Sequence, residues 1–320
     1  MRRSGRNTSA ARAVPGKGAT AARDPNRRPC LSKPALAPIS WTPSHALEAG
    51  LHLVATPIGN LGDITLRALW VLRSVDRILC EDTRVTGRLL ARFGIVTPLD
   101  PYHEHNAERA RPLALAALRR GERLALVSDA GTPLVSDPGF KLVRAVLDEG
   151  LPVTAAPGPS AVIDALILSG LPPDAFLFGG FLPARATARR KALAAWRALP
   201  ATLIFYEGPS RLAQSLAAMR EALGDRQAAI CRELTKRHAE VRRGSLSALA
   251  AHYRAAPPRG EVVVVVGPPE PEVANIADID HRLDEKLARL SVRDATAELA
   301  AETGIARRAL YERALARQRG

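Results

Sequence analysis

The chain has 320 residues, 47% of them hydrophobic but only 4% aromatic, and its 46 Lys and Arg outnumber 32 Asp and Glu for a formal net charge of +14. That length suits two domains and an appendage, while no apolar run approaches the ~18 residues that would cross a bilayer, which argues against a membrane span. Its three cysteines, Cys30, Cys80 and Cys231, lie far apart without metal-ligand spacing, so a reducing, cytoplasmic setting is expected and a disulfide scaffold is not.

The charge is uneven along the chain. Residues 1–45 hold nine Lys and Arg against one acid, Asp24, and are rich in Pro, Ser and Ala without apolar periodicity. A disordered basic tail is expected there; it lacks the apolar stretch of a secretory signal and reads as an inert extension, beside two other readings, a transit-like leader and a salt-sensitive attraction to RNA phosphates. Ordered structure is predicted from Ala46: a strand over 51–55, a helix over 64–72 capped by Asp63, a strand over 77–80, and a helix over 84–93 ended by Gly94. A helix over 106–120, a strand over 123–127, a helix over 141–147, a strand over 152–154 and a helix over 162–168 complete a first α/β domain, 46–170. Leu171-Pro172-Pro173 reads as a linker. Strands over 176–180, 201–206, 227–232 and 261–266 then alternate with helices near 187–198, 210–223 and 247–254, giving a second α/β domain over 171–270. Val241 to Gly244 is expected to close a hairpin. Past the proline cluster at 268–271, residues 271–320 are charged and strand-free. A helix from about 291 to 302, a turn at Thr303-Gly304-Ile305 and a basic helix over 306–317 form a helix-turn-helix pattern.

Three of the predicted strand-to-helix loops are built from small residues. The longest, residues 128–139, reads Ser-Asp-Ala-Gly-Thr-Pro-Leu-Val-Ser-Asp-Pro-Gly and carries no bulky side chain except Leu134 and Val135. Gly131 and Gly139 open the backbone while Pro133 and Pro138 stiffen it, and the carboxylates of Asp129 and Asp137 are placed to receive hydroxyl or ammonium groups. The loops at 53–62 and 156–161 have the same character. Strand C-termini of an open α/β sheet face a common ligand crevice, and the absence of both glycine-rich phosphate signatures predicts a ligand held without a phosphate cradle.

These loops, together with Cys-Glu-Asp-Thr-Arg at 80–84, Tyr-His-Glu-His-Asn at 102–106, Tyr-Glu-Gly-Pro-Ser-Arg at 206–211 and Cys-Arg-Glu-Leu-Thr-Lys at 231–236, resemble the tetrapyrrole-methylase superfamily of S-adenosylmethionine enzymes. Within it the chain resembles the bacterial methyltransferases that modify the ribose 2′-oxygen of a cytidine in small-subunit (16S) ribosomal RNA. The likeness runs from about residue 50 to the C-terminus. It departs where the family places a Glu directly after the histidine: here His238 is followed by Ala239, and Glu240 comes one residue later. The resemblance implies a two-domain fold with S-adenosylmethionine in the cleft between the domains, lined by Pro57, Asp129, Gly131, Thr132, Ser160 and Ala161. It further implies a homodimer, a 16S rRNA substrate within the small ribosomal subunit, and a helical C-terminal extension that touches RNA.

A ribose hydroxyl is a poor acid, so a base, or a cation that stabilises the developing alkoxide, is needed. At predicted strand ends Glu81, Glu233 and Lys236 are the leading candidates, with Asp82 and Glu207 beside them. Arg84, Arg211 and Arg232 suit either phosphate contacts or inter-domain ion pairs, and Arg307 and Arg308 give the final helix a basic face. His103 and His105 point to opposite faces if extended, so no metal is assigned. Two other readings stand beside the rRNA enzyme: a corrinoid-type small-molecule methyltransferase of the same superfamily, and a helix-turn-helix regulator with an α/β ligand sensor. The basic terminal helices weigh against the first, and the cofactor-shaped loops weigh against the second.

Overall fold

The computed structural model describes residues 43–270, 276–303 and 305–318. Most of the expected basic tail, Gly304 of the expected turn, and Arg319 lie outside the described residues. Residues 44–320 form one unit.

The first sheet contains β1 (Gly50–Val54), β2 (Arg77–Cys80), β3 (Leu99–Pro101), β4 (Arg123–Val127) and β5 (Val153–Ala156) in the order β3-β2-β4-β1-β5. All four neighbouring pairs are parallel. Such strands are covered on both faces and read as short apolar runs rather than alternating patterns, which is why they were visible in the sequence. Strand β3, with only Leu99 apolar before a proline, gave no such signal and was not predicted. One face packs on α1 (Leu66–Ser74) and α2 (Thr83–Arg92) through Val71, Leu72, Ile78 and Leu90; the other packs on α3 (Ala107–Arg119) and α4 (Phe140–Asp148) through Leu118, Leu124, Leu142 and Val146. The expected cap of α1 is corrected. Asp63 ends a short 3-10 turn, and the hydroxyl of Thr65 accepts the Ala68 N–H at 3.0 Å.

The second sheet contains β6 (Phe176–Phe181), β7 (Thr202–Glu207), β8 (Gln227–Arg232), β9 (Glu240–Ser245) and β10 (Val262–Val266) in the order β6-β7-β10-β8-β9. Only β6 and β7 are parallel; the other three pairs are antiparallel. Helix–strand alternation in the sequence therefore gives four of the five strands and the three helices, but neither β9 nor the strand directions. Val241 to Gly244, expected to close a hairpin, lie inside β9, and residues 233–239 make the turn instead. The five valines of β10 are all buried and divide between two cores. Val262, Val264 and Val266 face α6 (Ala186–Ala195), α7 (Leu212–Leu223) and α8 (Leu246–Ala255), whereas Val263 and Val265 face α5 (Ala161–Ser169).

Helix α5 follows the last strand of the first sheet yet lies on the second. Its Val162, Ala165 and Leu166 pack with Ile204, Ala229 and Val265. Arg243 of β9 donates to the carbonyls of Leu168 and Ser169, placing a cation on the unpaired C-terminal end of the helix. The terminal helices α9 (Ile276–Leu287), α10 (Val292–Thr303) and α11 (Arg307–Gln318) enclose their own small core of Ile279, Leu283, Leu299, Leu310 and Ala314.

Candidate active site

Strands β4, β1 and β5 are neighbours in the first sheet, so the three small-residue loops leave the same edge side by side. Hydrogen bonds stitch them together. Thr56 and Gly131 exchange backbone bonds of 2.9 and 3.0 Å, the Thr132 hydroxyl donates to Pro159 O at 3.2 Å, and Ala55 N–H donates to Ala156 O at 3.2 Å. Gly131 holds φ at +80°, and a Cβ there would stand 3.2 Å from Ile58 Cγ2, so both backbone and space favour glycine.

The four non-glycine residues with left-handed backbone among the described residues are Leu134, Ser136, Glu233 and Thr235. They sit in just two loops, 132–139 after β4 and 233–239 after β8. Such conformations cost roughly 1–3 kcal/mol each and persist where surrounding structure enforces them, commonly at functional sites.

Between the sheets lies a cavity of about 350 Å³, within the range of small-ligand sites. Gly131, Thr132, Ser160 and Ala161 line one side, Tyr206 to Pro209 and Gly260 to Val263 the other, with Ile58, Cys231 and Leu234 between them. The ionisable carboxylates on its wall are Asp137, Glu207 and Glu261, and the lining includes no Lys, Arg or His. Ser160 is the N-cap residue of α5, but its hydroxyl makes no cap bond. A second cavity of about 630 Å³ adjoins the first at the ends of β2 and β3, walled by Glu81, Tyr102, His105, Arg111 and Lys141 among others. Ser136 and Asp137 line both.

Burial, then the Glu81 carboxylate, pushes the Asp137 carboxyl up to about 6. Glu81 is itself raised, by burial and then by Asp129. Tyr206 is pushed up to about 12 by burial and by Asp137 and Glu261. Burial pushes the Cys231 thiol to about 11, so this wall residue is neutral and a poor nucleophile.

The residues singled out from sequence fall into distinct places. Gly131, Thr132, Ser160 and Ala161 line the first cavity, and Glu81 lines the second. Pro57 is not on the wall; its neighbour Ile58 is. Asp129 is not among the residues lining the cavity; it accepts the Asp82 N–H at 3.1 Å, tying β4 to the start of α2. Glu233 and Lys236 pair with each other at 2.9 Å, and Lys236 also pairs with Glu261 at 3.0 Å. Arg211 pairs with the buried Glu207, which also accepts from Ser215, and Arg232 pairs with Glu240. Arg84 pairs with Asp82 but leaves 87% of its side chain exposed. Arg307 donates to Arg293 O, and Arg308, 91% exposed, pairs with Glu312 within its own helix. The rings of His103 and His105 stand edge-on with centroids 6.0 Å apart. Sequence reasoning missed Ile58, Val135, Ser136 and Gly260; nothing in their residue types marks them as cavity lining.

Comparison with known proteins adds two family matches: the tetrapyrrole (corrin/porphyrin) methylases over residues 50–250, and the RsmI C-terminal HTH domain over residues 273–318. The ribosomal RNA small subunit methyltransferase I of Mesorhizobium japonicum is 55% identical over 85% of this chain and 94% of its own. That of Pseudomonas aeruginosa is 48% identical over 85% of this chain and 99% of its own. Among solved structures, a cobalt precorrin-4 methyltransferase superposes with TM-score 0.53 at 16% identity, covering 68% of this chain and 94% of its own. Diphthine synthase gives TM-score 0.54 at 15% identity, covering 68% and 89%. At those identities the two structures speak for the fold alone.

Proposed function

Since the chain belongs to the ribosomal RNA small subunit methyltransferase I family of the tetrapyrrole (corrin/porphyrin) methylases, we propose that the cleft between its sheets is where methyl transfer to RNA takes place. The chain is an S-adenosylmethionine-dependent rRNA methyltransferase acting on the ribose 2′-oxygen of a cytidine. One observation carries this: identity of 55% over 85% of the chain to a relative named as a ribosomal RNA small subunit methyltransferase. The family match over 50–250 also spans the three stitched loops.

The cleft suits S-adenosylmethionine chemically. The lining includes no Lys, Arg or His, so the wall presents no cation to repel a ligand with cationic centres. Gly131 bares its backbone, and the uncapped Ser160 hydroxyl is available for a ligand hydrogen bond. We assign Gly131, Thr132, Ser160 and Ala161 as the cofactor-holding set; bound there, the cofactor supplies a methyl group on a positively charged sulfur. The protein's own part is to position the acceptor oxygen in line and receive its proton. Asp129 supports this set from behind, by fixing Asp82 and so the end of β2 that carries Glu81.

The substrate context we propose is the small ribosomal subunit in the cytoplasm, approached through the exposed Arg84 and the terminal helices. We also propose a homodimer. Helix α5 is apolar almost all round, and its outer Ile163 and Ile167 are 44% and 67% exposed. Ile163 shares an apolar groove with Leu53, Ala155 and Phe178, and a helix apolar on every side is normally covered on every side.

Calorimetry tests the site. The purified protein should bind S-adenosylmethionine equally with and without chelator, and Ser160→Leu should weaken binding about tenfold or more by filling the cavity, roughly 1.4 kcal/mol. Binding only with a divalent ion, or unchanged by the leucine, would place the cofactor elsewhere.

A further inference from the structure

We propose that Asp137 is the base that removes the ribose 2′-hydroxyl proton, and that the polar cavity beyond it receives the acceptor nucleotide; this rests on the methyltransferase reading above.

The argument starts from geometry. The donor methyl must come from the first cavity, and the acceptor must enter from a space that opens onto it. The second cavity does so, and Ser136 and Asp137 are the residues the two share. A base has to reach the hydroxyl proton while the same oxygen reaches the methyl carbon. A carboxylate on the shared wall meets both conditions at once. The other acids in reach meet only one, or are already engaged. Glu81 lines the acceptor cavity alone. Glu207 is held by Ser215, Arg211 and Gly208 N–H. Glu261 pairs with Lys236 and is 76% exposed.

The loop is also shaped to present this side chain. Left-handed Ser136 precedes Asp137 and Pro138 follows it, which fixes the direction in which the carboxylate leaves the backbone. No ion pair neutralises it among the described residues, and the Ser128 hydroxyl stands within hydrogen-bond reach of it. The groups facing it are Glu81 from the end of β2, Asp129 from the end of β4 and Tyr206 from β7. The wall of the acceptor cavity also carries Glu104, His105, Glu108, Arg111 and Lys141, and Arg111 and Lys141 offer the positive charge that a nucleotide phosphate needs. A carboxyl raised to about 6 by burial and by Glu81 is well matched to accepting a proton at neutral pH.

The step balances without any further reagent. An electron pair on the 2′-oxygen forms the new O–C bond, and the C–S bond breaks with its pair passing to sulfur. The hydroxyl proton goes to an Asp137 oxygen and then to solvent through the open acceptor cavity.

The test uses full-length protein and small ribosomal subunits from cells that lack this methylation, in single-turnover reactions across pH 5–9, with calorimetry of S-adenosylmethionine alongside. For the unaltered protein, the rate should fall as pH drops below about 6, where Asp137 takes up its proton. Asp137→Asn should lower the rate about a hundredfold or more, in the range general-base loss produces, abolish that acid limb and leave cofactor affinity within about twofold. Glu81→Gln should move the acid limb to lower pH, because it removes a like charge beside Asp137. His105→Trp should raise KM for the subunit without changing cofactor affinity. An unchanged rate and acid limb in Asp137→Asn would overturn the assignment, as would loss of cofactor binding in that variant. If the unaltered protein methylates no subunit, the functional reading itself fails.

Discussion

Asp129 and Asp137 stand on one loop, and the sequence alone treats them alike. The structure separates them: Asp129 holds a backbone N–H of the neighbouring strand end, while Asp137 lines both cavities with, among the described residues, only the Ser128 hydroxyl beside it as a hydrogen-bond donor. That difference has a stability signature. A carboxyl with a folded-state value above its unfolded one destabilises the fold once ionised. The penalty is absent below the ordinary carboxylate range near pH 4 and fully present above about pH 6. Asp137→Asn should therefore stabilise the protein by about 1–2 kcal/mol at pH 7, allowing for partial solvent screening, and by little at pH 4. Urea unfolding at the two pH values checks this, and an equal effect at both would contradict it. The loop was legible from its glycines and prolines, but the aim of its carboxylates was not. That aim depends on left-handed Leu134 and Ser136, residue types for which no composition rule anticipates such a backbone. Pro57 and Ile58 show the same limit: residue types locate the loop, and only the three-dimensional structure puts Ile58 on the cavity wall.

At the level of elements, periodicity located nearly every helix and strand, because each apolar run answers to one buried face. It said nothing of strand direction, so the largely antiparallel second sheet emerged only in three dimensions. Charge was similarly ambiguous in the terminal helices. The sequence places Arg307, Arg308, Arg313, Arg317 and Arg319 in the last segment, yet Arg313 and Arg317 bind Asp280 and Asp284 of α9 and so act as internal fasteners. Arg308 remains 91% exposed. Arg308→Ala should lower RNA affinity and reduce the slope of log affinity against log salt by about one. Arg313→Ala should instead loosen the three-helix unit, seen as faster amide exchange in α9. Equal salt slopes for Arg308→Ala and the unaltered protein would remove Arg308 from the interface.

For the molecule as a whole, exposed apolar surface tells more than net charge. The outer face of α5 would cost little to cover and much to leave in water across a functional lifetime. Ile167→Asp, at a position 67% exposed in the single chain, should leave the fold intact and convert a dimer to a monomer in sedimentation at micromolar concentration. A monomer before the substitution would count against the pairing. Such an interface could not be read from the sequence, since an apolar stretch looks the same whether its far side meets a core or a second copy.

The position of α5 has a mechanical consequence. The chain leaves the first sheet at β5, crosses within four residues to α5, and that helix is packed on the second sheet with its end clamped by Arg243. One half of the protein thus lends a helix to the other, as a splint borrowed from one bone to brace its neighbour. With Ser160 and Ala161 at the splint's near end, the part of the cavity wall that they form is tied to both sheets. The cleft should behave as a rigid slot rather than a closing jaw, and small-angle scattering should give the same radius of gyration with and without S-adenosylmethionine. Whatever selectivity the enzyme has must then come from the fit of its partners to a fixed gap, and from how far the RNA, not the protein, has to bend to reach it.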